Sequence, residues 1–558
     1  MKRNLSKLAN EDYDVLIIGA GIYGASALWD AALRGLKVAL IEKNDFGHAT
    51  SANSLKIIHG GLRYLQTLDL KRVRESIRER RILMRIAPNL VYPMPVIMPT
   101  YSYKMKSRPV MFFGLLANDI VSIDRNRLDD PHKHIPNGYT MSSKKVKELI
   151  PGYDKHNLNG GALWYDCQCY NTERLLLSFI KSACQRGADV ANYVSAVQLI
   201  QKEGKVIGVN VEDTLTGERF EIRARMVVNN SGPWVDTILN SMNGKSDSKK
   251  FSLSTAMNLI VDRDIMGKYA AGLSGPFRHV FEDGREYNGY RMLFFAPWRG
   301  KTIIGTNHLP YSGRQQDYKV TEAEIQDFLA AANAAHPGAH IKREEISYFY
   351  SGFLPMNGTN PKTGEVNLVK HYKIYDHQKT DNLDGLLSVI GVKYTTARDV
   401  AEKTINLVCK KLSIAARDSQ TASTRLYGGD IDNFEDFLNA TITEDPYKLG
   451  VTAIKHLAYT YGSAINDIYR YGNDDRSTMH FLPDTREVVR AEVLHAIRDE
   501  MAMKLSDVVL RRTDLGSGGC PGGATLNEIA KIMGKEMGWT EKKVREEIRE
   551  VEQLYIPA

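Results

Sequence analysis

Cysteine is scarce in this chain. The five residues Cys167, Cys169, Cys184, Cys409 and Cys520 are odd in number and scattered through 558 positions. That argues against a disulfide framework. Cys167-x-Cys169 has one intervening residue and no second pair, which is not zinc spacing, so no metal is expected. Long apolar runs are missing too. No stretch of about 18 apolar residues occurs, so no segment is expected to cross a bilayer as a helix. The opening stretch Met1-Lys-Arg-Asn-Leu-Ser-Lys-Leu-Ala-Asn10 lacks the continuous apolar region of a secretory signal. A reducing, cytoplasmic setting is the expectation. Charge of one sign is in mild excess only: 74 Lys and Arg against 66 Asp and Glu, a net charge of +8. That balance alone implies neither nucleic acid nor a membrane. There is no internal repeat. A hydrophobic content of 43% and a charged content of 25% are ordinary for a globular protein, and the length suffices for two or three domains with full cores.

What is present begins with Asp14-Val-Leu-Ile-Ile-Gly-Ala-Gly-Ile-Tyr-Gly24. The apolar run Val15 to Ile18 reads as a buried parallel strand, and Gly19-x-Gly21-x-x-Gly24 ends it. A helical pattern follows from Ile22 to Arg34, then a second strand from Lys37 to Ile41, then Glu42. The glycines allow a tight turn and let backbone N–H groups approach a pyrophosphate at a helix N-terminus. Glu42 stands where an acid would meet a ribose 2′-hydroxyl, which favours FAD or NAD over NADP. A plain glycine turn in an α/β unit would not require three glycines and the acid together.

Further along, Asp69 to Ala87 predicts a basic helix carrying Lys71, Arg72, Arg74, Arg78, Arg80, Arg81 and Arg85. Its apolar set is Leu70, Val73, Ile77, Ile82 and Met84. Most of the arginines are expected on a solvated face. Pro88, Pro93, Pro95 and Pro99 then predict broken, extended pieces. Lys104 to Leu116 sets cations beside a short apolar segment. Its composition suits either a bilayer interface or a buried helix after a basic loop. Residues 190–230 read as strands with a hairpin at Thr214 to Gly217, ending in Met226-Val-Val-Asn-Asn-Ser-Gly-Pro-Trp234. Residues 253–372 are strand-rich, with a helix from Glu322 to Ala335. Leu386 to Arg398 repeats the order apolar strand, glycine turn, helix, so the first domain is expected to be discontinuous. After about residue 425 the pattern is helical. Asp484-x-x-Glu487 and Thr525-x-x-Glu528 resemble capping boxes. Long amphipathic helices are predicted over 484–513 and 542–555, with a flexible loop from Gly516 to Gly523.

Four blocks stand in an order that resembles the FAD-dependent glycerol-3-phosphate dehydrogenases, within the D-amino-acid-oxidase-like flavoproteins. They are the glycine fingerprint, Ala49-Thr-Ser with Lys56-Ile-Ile-His-Gly-Gly-Leu-Arg-Tyr-Leu65, Asn229-Asn-Ser-Gly-Pro-Trp234, and Gly391-Val-Lys-Tyr-Thr-Thr396. Asp507-Val-Val-Leu-Arg-Arg-Thr513 extends the resemblance into the C-terminal region. It implies an α/β fold class: a Rossmann-like FAD-binding domain, an antiparallel β substrate domain and a C-terminal helical domain. On that reading residues 1–100, 161–236 and 385–415 form the FAD domain. Residues 101–160 form a substrate-side cap region, 237–384 the substrate sheet and 425–558 the helical domain.

The resemblance also implies hydride transfer from C2 of glycerol 3-phosphate to the flavin, with electrons passing on to a quinone at the membrane or to oxygen. Gly19, Gly21, Gly24, Glu42, Lys43, Thr50, Ser51, Gly60, Gly61, Ser231, Gly232, Gly391, Lys393, Tyr394 and Thr395 would serve the cofactor. His59, Arg63, Tyr64 and Lys393 would line the substrate side, where the two cations suit a small anion. Peripheral attachment to the inner face of the cell membrane and a homodimer are further expectations.

The departures all fall on the substrate side. Where the family carries Arg in a Ser-Gly-x-Arg-Pro turn, this chain has Leu354. A family His proposed as general base is replaced by Asn258, and Gly-Thr-Thr-Asp reads Gly305-Thr-Asn-His308. Alcohol oxidation needs an acceptor for the hydroxyl proton, and His59, His308 and Lys393 remain. A different substrate, such as a 2-hydroxy acid, an amine or a modified sugar phosphate, is the alternative. An RNA-associated role for the basic helix finds no aromatic residues between its arginines, so no nucleic acid is expected.

Overall fold

The computed structural model describes residues 1–101, 107–241, 250–281, 283–415 and 417–558. Its first sheet has eight strands. Asp12–Ile18 lies at the centre, parallel to Val38–Ile41 on one side and to Arg219–Asn229 on the other. Leu386–Ile390 and Asp189–Ala191 extend the parallel part outward. Central strands are apolar at nearly every position because helices cover the sheet: Val15, Leu16, Ile17, Leu40, Val227 and Leu387 are fully buried. Three helices, Ile22–Leu33, Thr172–Gln185 and Ala397–Leu412, share one core on this sheet. The sheet is thus assembled from segments about 200 residues apart, as the return of the strand–glycine–helix pattern at Leu386 anticipates.

The second sheet has ten strands. Its middle is the antiparallel set Ile346–Thr359, Ser252–Val261, Lys301–Tyr311, Glu286–Trp298 and Ala270–Val280. It is not wholly antiparallel, since Ala270 and Ala271 pair in parallel with Val96 and Ile97. The helix Glu322–Ala335 packs Ile325, Phe328 and Ala332 onto Leu273 and Phe295, and a Thr321–Glu324 capping box starts it. The cuts expected at residues 100 and 160 fall at or inside the strands Val91–Tyr101 and Leu158–Cys169, which pair with each other in this sheet. The prolines do not break Val91–Tyr101 into pieces. Pro93, Pro95 and Pro99 alternate, so their missing N–H groups lie along one edge, where the neighbouring strand pairs only at Val96 and Ile97.

The basic helix, Leu70–Ile86, is solvated only in part. Arg72 and Arg80 are buried, and Arg74 and Arg81 share Asp124. Leu70 is exposed rather than packed. The helix Arg108–Val121 buries Met111 and Leu115 and exposes Phe112, Phe113, Leu116 and Ile120. That is the surface alternative for the apolar segment; Lys104 and Lys106 lie outside the described residues. No described helix is long and apolar enough to cross a membrane.

In the C-terminal helical region four expectations give way. Asp484 sits at φ +58° in a turn, and the helix starts at Arg490, with the Glu492 carboxylate accepting the Val489 N–H at 3.0 Å. It stops at Met501, at φ +59°, instead of running to Thr513. Buried ion pairs override the amphipathic pattern here: Lys181 reaches Glu500 at 2.7 Å, and Arg511 and Arg512 reach Asp45 at 2.6 and 2.8 Å. Thr525 lies inside a helix that begins at Gly523, and its hydroxyl donates to the Pro483 carbonyl. The glycine loop is packed rather than loose, with the Ser517 and Gly518 carbonyls accepting from the Tyr350 and Ser347 hydroxyls, both at 2.6 Å.

Candidate active site

Four parallel strands of the first sheet end in Ile18, Ile41, Asn229 and Ile390, so Gly19, Glu42, Asn230 and Gly391 gather along one edge. Ligands bind at this edge in open α/β sheets. Gly19 has φ +100°, and a Cβ there would stand 2.7 Å from the Asn230 carbonyl oxygen. A Cβ on Gly24 would run into the Gly19 carbonyl, so the first helix can approach its own loop only with glycine at both places. Gly21 lies against Ser51, whose hydroxyl accepts the Ile22 N–H at 3.0 Å. The Glu42 carboxylate accepts the Ala20 and Asn44 N–H groups at 2.9 and 3.0 Å, while burial pushes its pKa up. Lys43 stacks 3.6 Å over the Trp234 ring. Ser231 donates to Asn229 at 2.6 Å, and the buried Asn230 Oδ1 has no partner. An N-terminal helix end, an acid after the second strand and an unpaired buried acceptor fit a dinucleotide pyrophosphate and ribose.

A cavity of about 340 Å³ opens beside this edge, between the two sheets. Such a volume lies within the range of small-molecule sites. Its walls include Thr50, Ser51, His59, Tyr64, Asn258, Leu354, Gly232 and the run Gly391 to Thr395. Thr50 is fixed to the second sheet, donating to the Phe353 carbonyl at 3.0 Å and accepting the Phe353 N–H at 3.1 Å. The Tyr394 hydroxyl donates to the Thr172 carbonyl at 2.7 Å, and Thr395 accepts the His59 N–H at 3.2 Å. Tyr23 ties the glycine loop to the Gly391 loop. Its hydroxyl accepts from Val392 and Lys393 N–H at 3.0 and 3.1 Å and donates to the Lys393 carbonyl at 2.7 Å. A Cβ on Gly391 would collide with the Tyr23 ring.

His59 places Nδ1 3.0 Å from Asp166 Oδ2, and its side chain is 43% exposed. Gly60 donates to Asp166 Oδ1 at 2.6 Å, Arg80 stands 3.7 Å from the same oxygen, and Gly61 turns the chain at φ +87°. Burial would raise the Asp166 pKa, but the His59 bond and charge, Arg80 and the Gly60 N–H outweigh it and hold the carboxyl below its usual range. Tyr64 meets two cations, with Lys393 Nζ 3.8 Å and the Arg72 guanidinium 3.9 Å from its ring centre. Burial, with Arg72 adding to it, pushes the Lys393 pKa down to about 7.

Two candidates stand away from the wall. Arg63 is exposed and is not among the lining residues, though its charge is felt at Tyr64, Lys393 and His308. His308 is not a lining residue either. Burial pushes its pKa down to about 4, and its Nδ1 is buried without a partner. Asn258 offers no base: its Oδ1 accepts the Thr306 hydroxyl at 2.9 Å and its amide faces the Asn53 carbonyl at 3.4 Å. Leu354 presents an apolar side chain to the cavity. Asp166 and Tyr23 escape a sequence reading because their contacts span 107 and 370 residues.

Residues 14–383 match the family model described as FAD dependent oxidoreductase, and residues 419–544 match the C-terminal domain of alpha-glycerophosphate oxidase. The chain is 31% identical to a glycerol-3-phosphate dehydrogenase of Synechocystis sp., covering 100% of this chain and 99% of that one. The chain belongs to the FAD-dependent glycerol-3-phosphate dehydrogenase family. An aerobic glycerol-3-phosphate dehydrogenase of Staphylococcus haemolyticus is 29% identical, over 92% of this chain and 88% of the relative. Among solved structures, the glycerol-3-phosphate dehydrogenase from Bacillus halodurans complexed with FAD superposes with a TM-score of 0.77 at 25% identity, covering 99% and 96% of the two chains. Membership makes the protein an FAD-dependent oxidoreductase.

Proposed function

We propose that the protein oxidises the secondary alcohol of glycerol 3-phosphate to the ketone, with FAD as electron acceptor. Bound FAD supplies a two-electron acceptor for the hydrogen on the carbinol carbon. The chain's own residues do the rest. The loop from Gly19 to Gly24, Glu42, Lys43, Asn230 and the walls at Thr50 to Ser51 and Tyr394 to Thr395 would hold the cofactor. Lys393, with Arg63 and Arg72 nearby, sets a positive field for a phosphate. His59 accepts the hydroxyl proton and, half exposed, can return it to water. The observation that carries this reading is that His59, oriented by Asp166, and Lys393 open onto one cavity. The names of the relatives point to the same substrate.

Leu354 and Asn258 favour a second reading, in which another small anion or amine takes the place of glycerol 3-phosphate. An arginine missing from a buried phosphate pair removes about 2–5 kcal/mol of binding. Anaerobic mixing decides between the two. Glycerol 3-phosphate at millimolar concentration should bleach the oxidised flavin, whereas lactate, glycine and other sugar phosphates should not. Bleaching by one of those alone establishes the second reading, and a colourless protein without releasable flavin rejects both.

The acceptor beyond the flavin is a quinone or oxygen. A quinone would suit a peripheral position on the inner face of the cell membrane, and the exposed Phe112, Phe113, Leu116 and Ile120, with Leu68 and Leu70 beyond them, support such docking.

A further inference from the structure

Asp166 is 3% exposed, carries a charge and touches the His59 imidazole, which opens onto the cavity. A buried carboxylate is costly unless its oxygens are satisfied. Here the two oxygens have separate partners, Oδ2 facing His59 Nδ1 while Oδ1 takes the Gly60 N–H with Arg80 behind it. Both carboxylate oxygens are thus engaged, and the imidazole packs edge-on against Phe294 with ring centres 5.6 Å apart.

We propose that Asp166 is the positioning residue of the oxidation, holding His59 as the Nδ1–H tautomer so that Nε2 faces the cavity as a proton acceptor. The inference rests on the alcohol-oxidation reading. An ionised carboxylate only accepts hydrogen bonds, and a neutral imidazole donates through one nitrogen alone. A 3.0 Å contact to Asp166 thus assigns the proton to Nδ1 and leaves the Nε2 lone pair free. Bound FAD would take the carbinol hydrogen together with the C–H electron pair, as hydride. The O–H bond breaks with its proton going to Nε2, and the two electrons it leaves form the C=O π bond. The imidazolium then lies 3.0 Å from the buried Asp166 carboxylate, which attracts its charge. Asp166 touches neither the cofactor's place nor the substrate's; it acts through the ring.

Asparagine separates this role from simple loop support. Asp166→Asn keeps an oxygen for the Gly60 N–H but turns an NH2 toward His59, which makes Nδ1 the acceptor and puts the hydrogen on Nε2. The test uses FAD-loaded enzyme labelled with 15N-histidine, without substrate, with the His59 signals assigned by their loss in His59→Gln. Wild type should show the Nδ1–H tautomer and Asp166→Asn the Nε2–H tautomer. In anaerobic stopped flow with glycerol 3-phosphate, flavin reduction at saturation should fall on the order of 10²–10⁴-fold, while the half-saturating concentration moves less than about threefold. A wild-type Nε2–H tautomer, an unchanged tautomer in the variant, or a reduction rate within about threefold of wild type overturns the proposal. Should the variant lose FAD, the wild-type spectrum alone decides. If glycerol 3-phosphate fails to bleach wild type, the substrate reading falls while the spectra still judge Asp166.

Discussion

Lys393 should make anion binding proton-linked. Its ammonium has an ordinary pKa of 10.5, and burial beside Arg72 pushes it down to about 7. At pH 8 about 0.9 of the site is therefore the neutral amine. A phosphate placed beside it restores the charged form, so binding should take up ~0.9 proton at pH 8 and only ~0.1 at pH 6. The ketone product dihydroxyacetone phosphate is a suitable probe because it cannot reduce the oxidised flavin. Titration calorimetry in buffers of differing ionisation enthalpy reads the uptake directly, and Lys393→Met supplies the baseline. The same pKa governs stability. Between pH 7 and 10.5 the unfolded chain holds a proton that the folded chain has released, so stability rises with pH across that window. The slope reaches about 1.4 kcal/mol per pH unit and sums to at most ~5 kcal/mol. Lys393→Met should flatten this slope, and its advantage over wild type in urea should be complete below pH 7 and vanish as pH rises. Equal proton uptake by wild type and Lys393→Met, or no uptake by either at pH 8, would refute the reasoning.

Two further outcomes follow from geometry alone. Gly391→Ala drives a Cβ into the Tyr23 ring that pins the cofactor-side loop, so bound FAD per chain should drop after gel filtration while the circular dichroism stays wild type; full retention of FAD would show that the loop can shift. Phe113→Glu and Ile120→Glu place charge on the exposed face of Arg108–Val121. Flotation with anionic liposomes in high salt should fall at least tenfold in the double variant, with activity toward a soluble dye acceptor retained, and unchanged flotation would remove that helix from any membrane role.

The first sheet and its glycine edge are legible because parallel strands covered on both faces must be apolar throughout, and because glycine is the one residue that fits where Gly19 meets Asn230. Both are local demands, written at the position they constrain. The substrate side obeys a different rule. Asp166 reads as one more polar residue at a sheet position, and only the pairing of Ile57–Ile58 with Leu158–Cys169 brings it to His59. His308 looks like a base because it ends the Gly305-Thr-Asn-His308 pattern, yet it is not among the residues that line the cavity. The missed helix end at Met501 has the same origin, since Glu500, Arg511 and Arg512 answer to Asp45, Arg174 and Lys181 across the domain contact rather than to their own neighbours. Residues whose partners are near in sequence announce themselves, and those whose partners arrive by folding do not. The cavity geometry here is of the second kind: His59, its carboxylate partner Asp166 and the depressed Lys393 come from three segments that meet only when both sheets are complete. The cavity wall at Leu354 is thus set by partners that folding brings in, and the glycine edge by the fit of its own backbone.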